Sequence, residues 1–216
     1  MNRNITILLI IIFNLVPILG VASFGWQPFE AFWFFWVETL IMAIFNTLQI
    51  VYSQGQDAGN VNSNTPLVYH LNAGIKYLLI RMGVFLFYAI FIITFIGFVA
   101  NVNKDKTAVV STILFQNRLF NAGLLISMVS QGYYLVMGFF NSGAFYTSKP
   151  DSFAAIFDGR QLVIHVAIVL GALGAIFLEK NTSYGHYSSV FIISLLCVCK
   201  CVFDILNTDT AATLAK

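Results

Sequence analysis

Charge is what this sequence lacks most. Only 9% of its 216 residues are Asp, Glu, Lys or Arg, where a soluble domain of this length carries roughly a quarter. The formal net charge is +2, too small to imply a polyanionic partner, and no basic face with interleaved aromatics is present to read a nucleic acid. Histidine is scarce, with three residues. His70 and His186 fall near span ends or in loops, which disfavours a bis-histidine haem. No H-E-x-x-H marks a zinc protease. No G-x-S-x-G-like element supplies a serine nucleophile, and Ser127 and Ser130 lack that setting. The three cysteines all lie in Cys197-Val198-Cys199-Lys200-Cys201, so no disulfide framework is expected. On a helix Cys197 and Cys201 share a face and Cys199 points away, which favours packing over a metal site. No cofactor and no metal are expected.

What is present is apolar. Hydrophobic residues make up 59% of the chain, the mean hydropathy is +0.84, and the apolar blocks are long enough to cross about 30 Å of hydrocarbon. Twenty-two Phe, nine Tyr and three Trp suit lipid contact and interfacial belts. The fold expected is all-α: a polytopic integral membrane helical bundle of about six transmembrane helices. It forms a single domain over residues 1–216, with spans near 5–24, 29–52, 74–100, 120–140, 160–178 and 188–206. The first span resembles a signal peptide, but Asn14 and Pro17 interrupt its apolar run, and a retained helix is favoured. Gly25 to Pro28 reads as a turn, Ser53 to Ala73 as a polar loop, and Ala108 to Phe115 as interfacial. One long, tilted helix over 107–140 is the alternative.

Lys and Arg in the loops set orientation. With the N-terminus inside, one side collects Arg3, Lys76, Arg81, Lys149, Arg160 and Lys216. The other collects Lys104, Lys106, Arg118 and Lys180. The expected location is therefore the cell membrane, crossed several times, with a cytoplasmic N-terminus. The expected partners are the bilayer, a small ion or solute, and a second copy or a larger membrane complex, with no nucleic acid.

Charged groups inside spans cost at least about 2.5–3.5 kcal/mol each on insertion scales, so each needs a reason. The candidate site comprises Glu38, Asn46, Arg160, His165, Lys200 and Asp204. Asn46, Lys200 and Asp204 come late in even spans, while Arg81, Arg160 and His165 come early in odd ones, which places all of these in one half of the bilayer. Glu38 is expected near the middle, above them. Glu38, Met42, Asn46 and Gln49 form one helical stripe, and Lys200 and Asp204 are an i, i+4 pair able to neutralise each other. Glu38 is either a proton-exchanging carboxylate or the ionic partner of Lys200 or Arg160. His165 is either a titrating switch or a hydrogen-bonded structural residue, and Arg160 binds an anion or snorkels to the interface. The polar groups together either line a water-accessible cavity or hold the bundle in register.

Asn14, Pro17 and Gly20, then Gly25-Trp26, Trp36-x-Glu38 and Phe45-Asn46, form a pattern that resembles a family of uncharacterised prokaryotic integral membrane proteins grouped as a domain of unknown function. Arg160-x4-His165 with Gly171, and Lys200-x3-Asp204, are similar to that family's C-terminal half. The resemblance covers nearly the whole chain. It implies a six-helix-like membrane fold and no established activity. The expected function is a small transporter or channel-like protein with a polar intramembrane site in one leaflet. The alternatives are a membrane-embedded enzyme acting on a lipid-like substrate and a non-catalytic subunit or assembly factor. The balance of these features leans against an enzyme.

Overall fold

The computed structural model describes residues 3–56, 68, 70–94, 106–156, 166, 169–170, 173–174 and 185–214. Among them every regular element is helical. Helix α1 spans Arg3–Ser23 and α2 spans Pro28–Tyr52. The turn between them closes on Gly20, whose carbonyl accepts from the N–H groups of Phe24 (3.1 Å) and Trp26 (2.9 Å). Pro28 opens α2 with its φ already set for a helix. The Glu30 carboxylate accepts from the Gln27 N–H at 3.1 Å, which satisfies a donor that the first helical turn leaves open.

Helix α3, Leu71–Phe91, returns along α2 and is pinned at its start, where the His70 N–H donates to the Val51 carbonyl at 3.2 Å. Its end relaxes into π-helical geometry over residues 92–94. Helix α4, Lys106–Ile113, stops where Phe115 takes φ +56°. Asn117 then starts α5, Arg118–Tyr133, with its side chain accepting from the Phe120 N–H at 3.1 Å. A π-helical segment, Tyr134–Phe140, continues α5. A single turn, α6 (Ala144–Thr147), and a 3₁₀ turn at Pro150–Ser152 follow. The last helix, α7, runs over Gly185–Leu214.

Helix α2 is the hub. Every residue from Pro28 to Thr39 is buried, and 67% of its apolar window is inside the protein, against 22% to 28% in the other three long apolar stretches. Burial on all sides, and not apolar character alone, makes it the central helix. Its Phe34 stacks on Phe13 of α1 at 4.8 Å and meets Phe120 of α5 edge-on at 5.6 Å. Its Trp36 stacks on Phe85 of α3 at 5.6 Å and donates its indole N–H to the Phe85 carbonyl at 3.2 Å. Gly123 makes the α1–α2–α5 crossing: a Cβ there would lie 2.6 Å from Phe34 Cε2 and 2.8 Å from Val16 Cγ1.

The outer faces stay apolar. On α7 the residues Phe191, Leu195, Val198, Val202 and Leu206 are all more than half exposed and recur at helical spacing. Leu79, Phe87 and Ile90 do the same on α3. Exposed apolar stripes of this kind are compatible with a membrane or with a protein partner. Four helical stretches among the described residues are long and apolar enough to cross a membrane: Asn4–Ser23, Pro28–Tyr52, Leu71–Thr94 and Thr107–Phe140. The span expected at 160–178 lies largely outside the described residues.

Candidate functional site

Three of the six candidate residues meet at one point. The Lys200 ammonium on α7 lies 3.0 Å from Glu38 Oε2 and donates to Glu38 Oε1 at 3.2 Å. One turn further along its own helix, Asp204 Oδ2 accepts from the same nitrogen at 2.8 Å. All three side chains are buried, with 2%, 4% and 3% exposure for Lys200, Glu38 and Asp204. Two aromatic rings complete the setting. Phe13 of α1 and Phe35 of α2 have centroids 5.1 Å and 5.4 Å from Lys200 Nζ. Their π faces add favourable field for an ammonium away from water.

Local sequence explains the convergence. Lys200 and Asp204 share a face of α7 by their spacing, and so does Cys197, which is buried while Cys199 is exposed. Glu38 lies on α2 about 15 Å along the axis from Pro28, near the middle of the span. It was expected above the Lys200 layer. Contact puts the two level, because α7 continues to Leu214 and leaves Lys200 near its centre rather than close to its end.

Asn46 does not join this cluster. It sits about 12 Å further along α2 than Glu38 and donates its Nδ2 to Tyr77 Oη of α3 at 3.3 Å. Arg81, one turn beyond Tyr77, is buried, donates to the Ile156 carbonyl, and holds its guanidinium carbon 6.0 Å from the Tyr77 ring. Among the described residues, the candidate polar groups therefore fall into two separate clusters, one around Lys200 and one around Tyr77. Arg160 and His165 lie outside the described residues.

Sequence reading missed the second cluster as a unit. Its available signal was the i, i+4 spacing of Tyr77 and Arg81, which sets a donor and an amphipathic ring on one face. It also missed Phe13 and Phe35, since nothing in an aromatic-rich helix singles out the two rings that will flank a distant lysine.

Chemically, the Lys200 cluster has one ammonium gripped by two carboxylates from different helices. Removing its water costs several kcal/mol per ion, recovered only by close, well-directed partners. A proton added to either carboxylate weakens one grip and leaves the other. The link between α2 and α7 is therefore sensitive to protonation at Glu38, while the Asp204 contact stays within α7.

No curated protein and no solved structure matches this chain. A family model matches residues 1–215, and on that match the chain belongs to the family of unknown function DUF6498.

Proposed function

We propose that this protein is a small multi-pass membrane transporter or channel-like protein, crossing the bilayer about six times with its N-terminus in the cytoplasm. In this reading the Glu38–Lys200–Asp204 cluster is the ion- or proton-sensitive tie that controls passage. The observation that carries it is the meeting of three buried ionisable groups near mid-span, on two helices far apart in sequence. Ionisable residues at that depth are costly and mark ion or substrate pathways. Two further features favour a moving bundle. Helix α3 ends in π geometry at 92–94, and α5 passes into a π-helical segment at Tyr134–Phe140; such segments concentrate at functional sites.

Arg160 and His165 belong to the proposed pathway by their expected depth alone. The substrate class is a small ion or solute. The test is flux in proteoliposomes under imposed proton, sodium and potassium gradients, comparing the native chain with Glu38→Gln. The reading requires a gradient-driven flux that Glu38→Gln changes. Absence of any flux under all three gradients removes it.

A second reading is a non-catalytic subunit or assembly factor of a larger membrane complex. It is favoured by the way the charges of the cluster satisfy each other, which a structural staple also requires. Purification of the chain with one constant partner, together with no intrinsic flux, decides for it.

A further inference from the structure

The segment after α6 does not stay at the surface. At the mouth formed by the end of α2 and the start of α3, it pairs with the chain leaving α2. The N–H groups of Gln54, Gly55 and Gln56 donate to the carbonyls of Phe145, Ser148 and Tyr146 at 2.8, 3.0 and 2.8 Å. From there the backbone turns inward. Phe153, Ala154 and Ile156 pack on Ala43 and Ile50 of α2 and Tyr77 of α3, and the Ile156 carbonyl accepts from Arg81.

Position along the helices gives the depth. Tyr77 and Arg81 stand about 9 Å and 15 Å in from the start of α3. The eight steps from Ser148 to Ile156 reach up to roughly 27 Å when extended, so the descent needs no helix. Apart from the 3₁₀ turn at Pro150–Ser152, residues 148–156 have no regular structure. Asp151 and Ser152 are exposed in that turn, and Ala155 is exposed between Ala154 and Ile156.

In hydrocarbon, every backbone N–H and C=O must be satisfied internally. Irregular backbone at membrane depth is tolerated only when it is buried in protein or borders water. A segment whose Phe153, Ala154 and Ile156 pack on α2 and α3 while its Asp151 and Ser152 are exposed meets that condition only if those exposed residues face water. We infer that residues 148–156 are a re-entrant strap flooring an aqueous mouth and closing the Asn46–Tyr77–Arg81 layer, latched by Arg81 on the Ile156 carbonyl. The backbone pairing of 54–56 with 145–148 is its fixed hinge, and the Arg81 contact is the part that releases. This inference rests on α2 and α3 being membrane spans, as proposed above. It does not rest on transport, because its readout is accessibility and not flux.

The test labels the full chain in lipid nanodiscs with a charged, water-soluble maleimide, locating adducts by mass spectrometry so that Cys197, Cys199 and Cys201 are read separately. Thr147→Cys marks the mouth and Ala154→Cys the inner strap. With the strap latched, Ala154→Cys reacts at least roughly fivefold more slowly than Thr147→Cys, as a locally protected site does. Adding Arg81→Gln brings the two rates together, while Arg81→Lys, which keeps one donor, gives an intermediate rate. Equal rates at the two positions in the otherwise native chain overturn the strap. A slow Ala154→Cys that neither Arg81 variant accelerates overturns the latch. Should Arg81→Gln fail to fold, the native-background comparison and Arg81→Lys still decide both points.

Discussion

Lys200 and Glu38 are 162 positions apart in the chain, yet the ammonium of one lies 3.0 Å from a carboxylate oxygen of the other. The contact is thus wholly tertiary and is available only once α2 and α7 have come together. It ties the central helix α2 to the last helix α7 in the buried interior, where each charge alone would be costly. The Asp204 contact, by contrast, is local and is available as soon as α7 forms.

Replacing Lys200 leaves two carboxylates facing each other in an apolar interior. Lys200→Met is expected to cost about 3–5 kcal/mol, the range for breaking a buried pair by removing one partner. Neutralising the whole cluster with Glu38→Gln, Lys200→Met and Asp204→Asn together should recover most of that loss. Denaturant unfolding in micelles checks both, and a Lys200→Met chain as stable as the native one would show that the cluster is not a structural tie.

Two glycines of α5 make opposite predictions. A Cβ at Gly123 collides with Phe34 and Val16, while one at Gly132 comes no nearer than 3.9 Å to Phe45. Gly123→Ala should therefore lose about 1–3 kcal/mol through overpacking. Gly132→Ala should be neutral or gain a few tenths of a kcal/mol from helix propensity. Midpoints of thermal unfolding for the pair distinguish close helix crossing from a general intolerance of alanine.

The break between α4 and α5 rests on one cap and one left-handed residue. Asn117→Ala removes the acceptor for the Phe120 N–H and should cost about 1 kcal/mol. Phe115→Gly relieves the φ of +56°, and should be tolerated in the turn although it removes an aromatic ring that meets Phe120 edge-on at 6.0 Å. If Asn117→Ala is silent in unfolding and in amide exchange across α5, the cap is not what starts this helix.

The proposed topology is directly measurable. Reporter fusions at Gln56 and Lys149 should report the cytoplasm, and fusions at Lys104 and Lys180 the opposite side. The reporters at Gln56 and Lys149 must agree in any case, since Gln56 and its neighbours pair with residues 145–148 beyond the end of α2. Their disagreement would contradict the fold, whereas a uniform reversal would only invert the orientation.

The sequence by itself determined the helical character, the apolar outer faces and the pairing of Lys200 with Asp204. These follow from composition and from spacing along one helix, which need no knowledge of neighbours. It also named Lys200 as one of two cations for Glu38, with Arg160 the other, and could go no further. Choosing between them depends on which helices touch and at what height. That is set by α7 packing mainly along α1, which brings its Lys200 face to α2, and by α7 continuing to Leu214. Tertiary structure alone divided the candidate polar groups into the Lys200 and Tyr77 clusters, since a few residues of helix length shift a side chain by several ångströms. It alone brought Ile156 to Arg81, because a strap's path is fixed by the groove that receives it and not by its own irregular sequence.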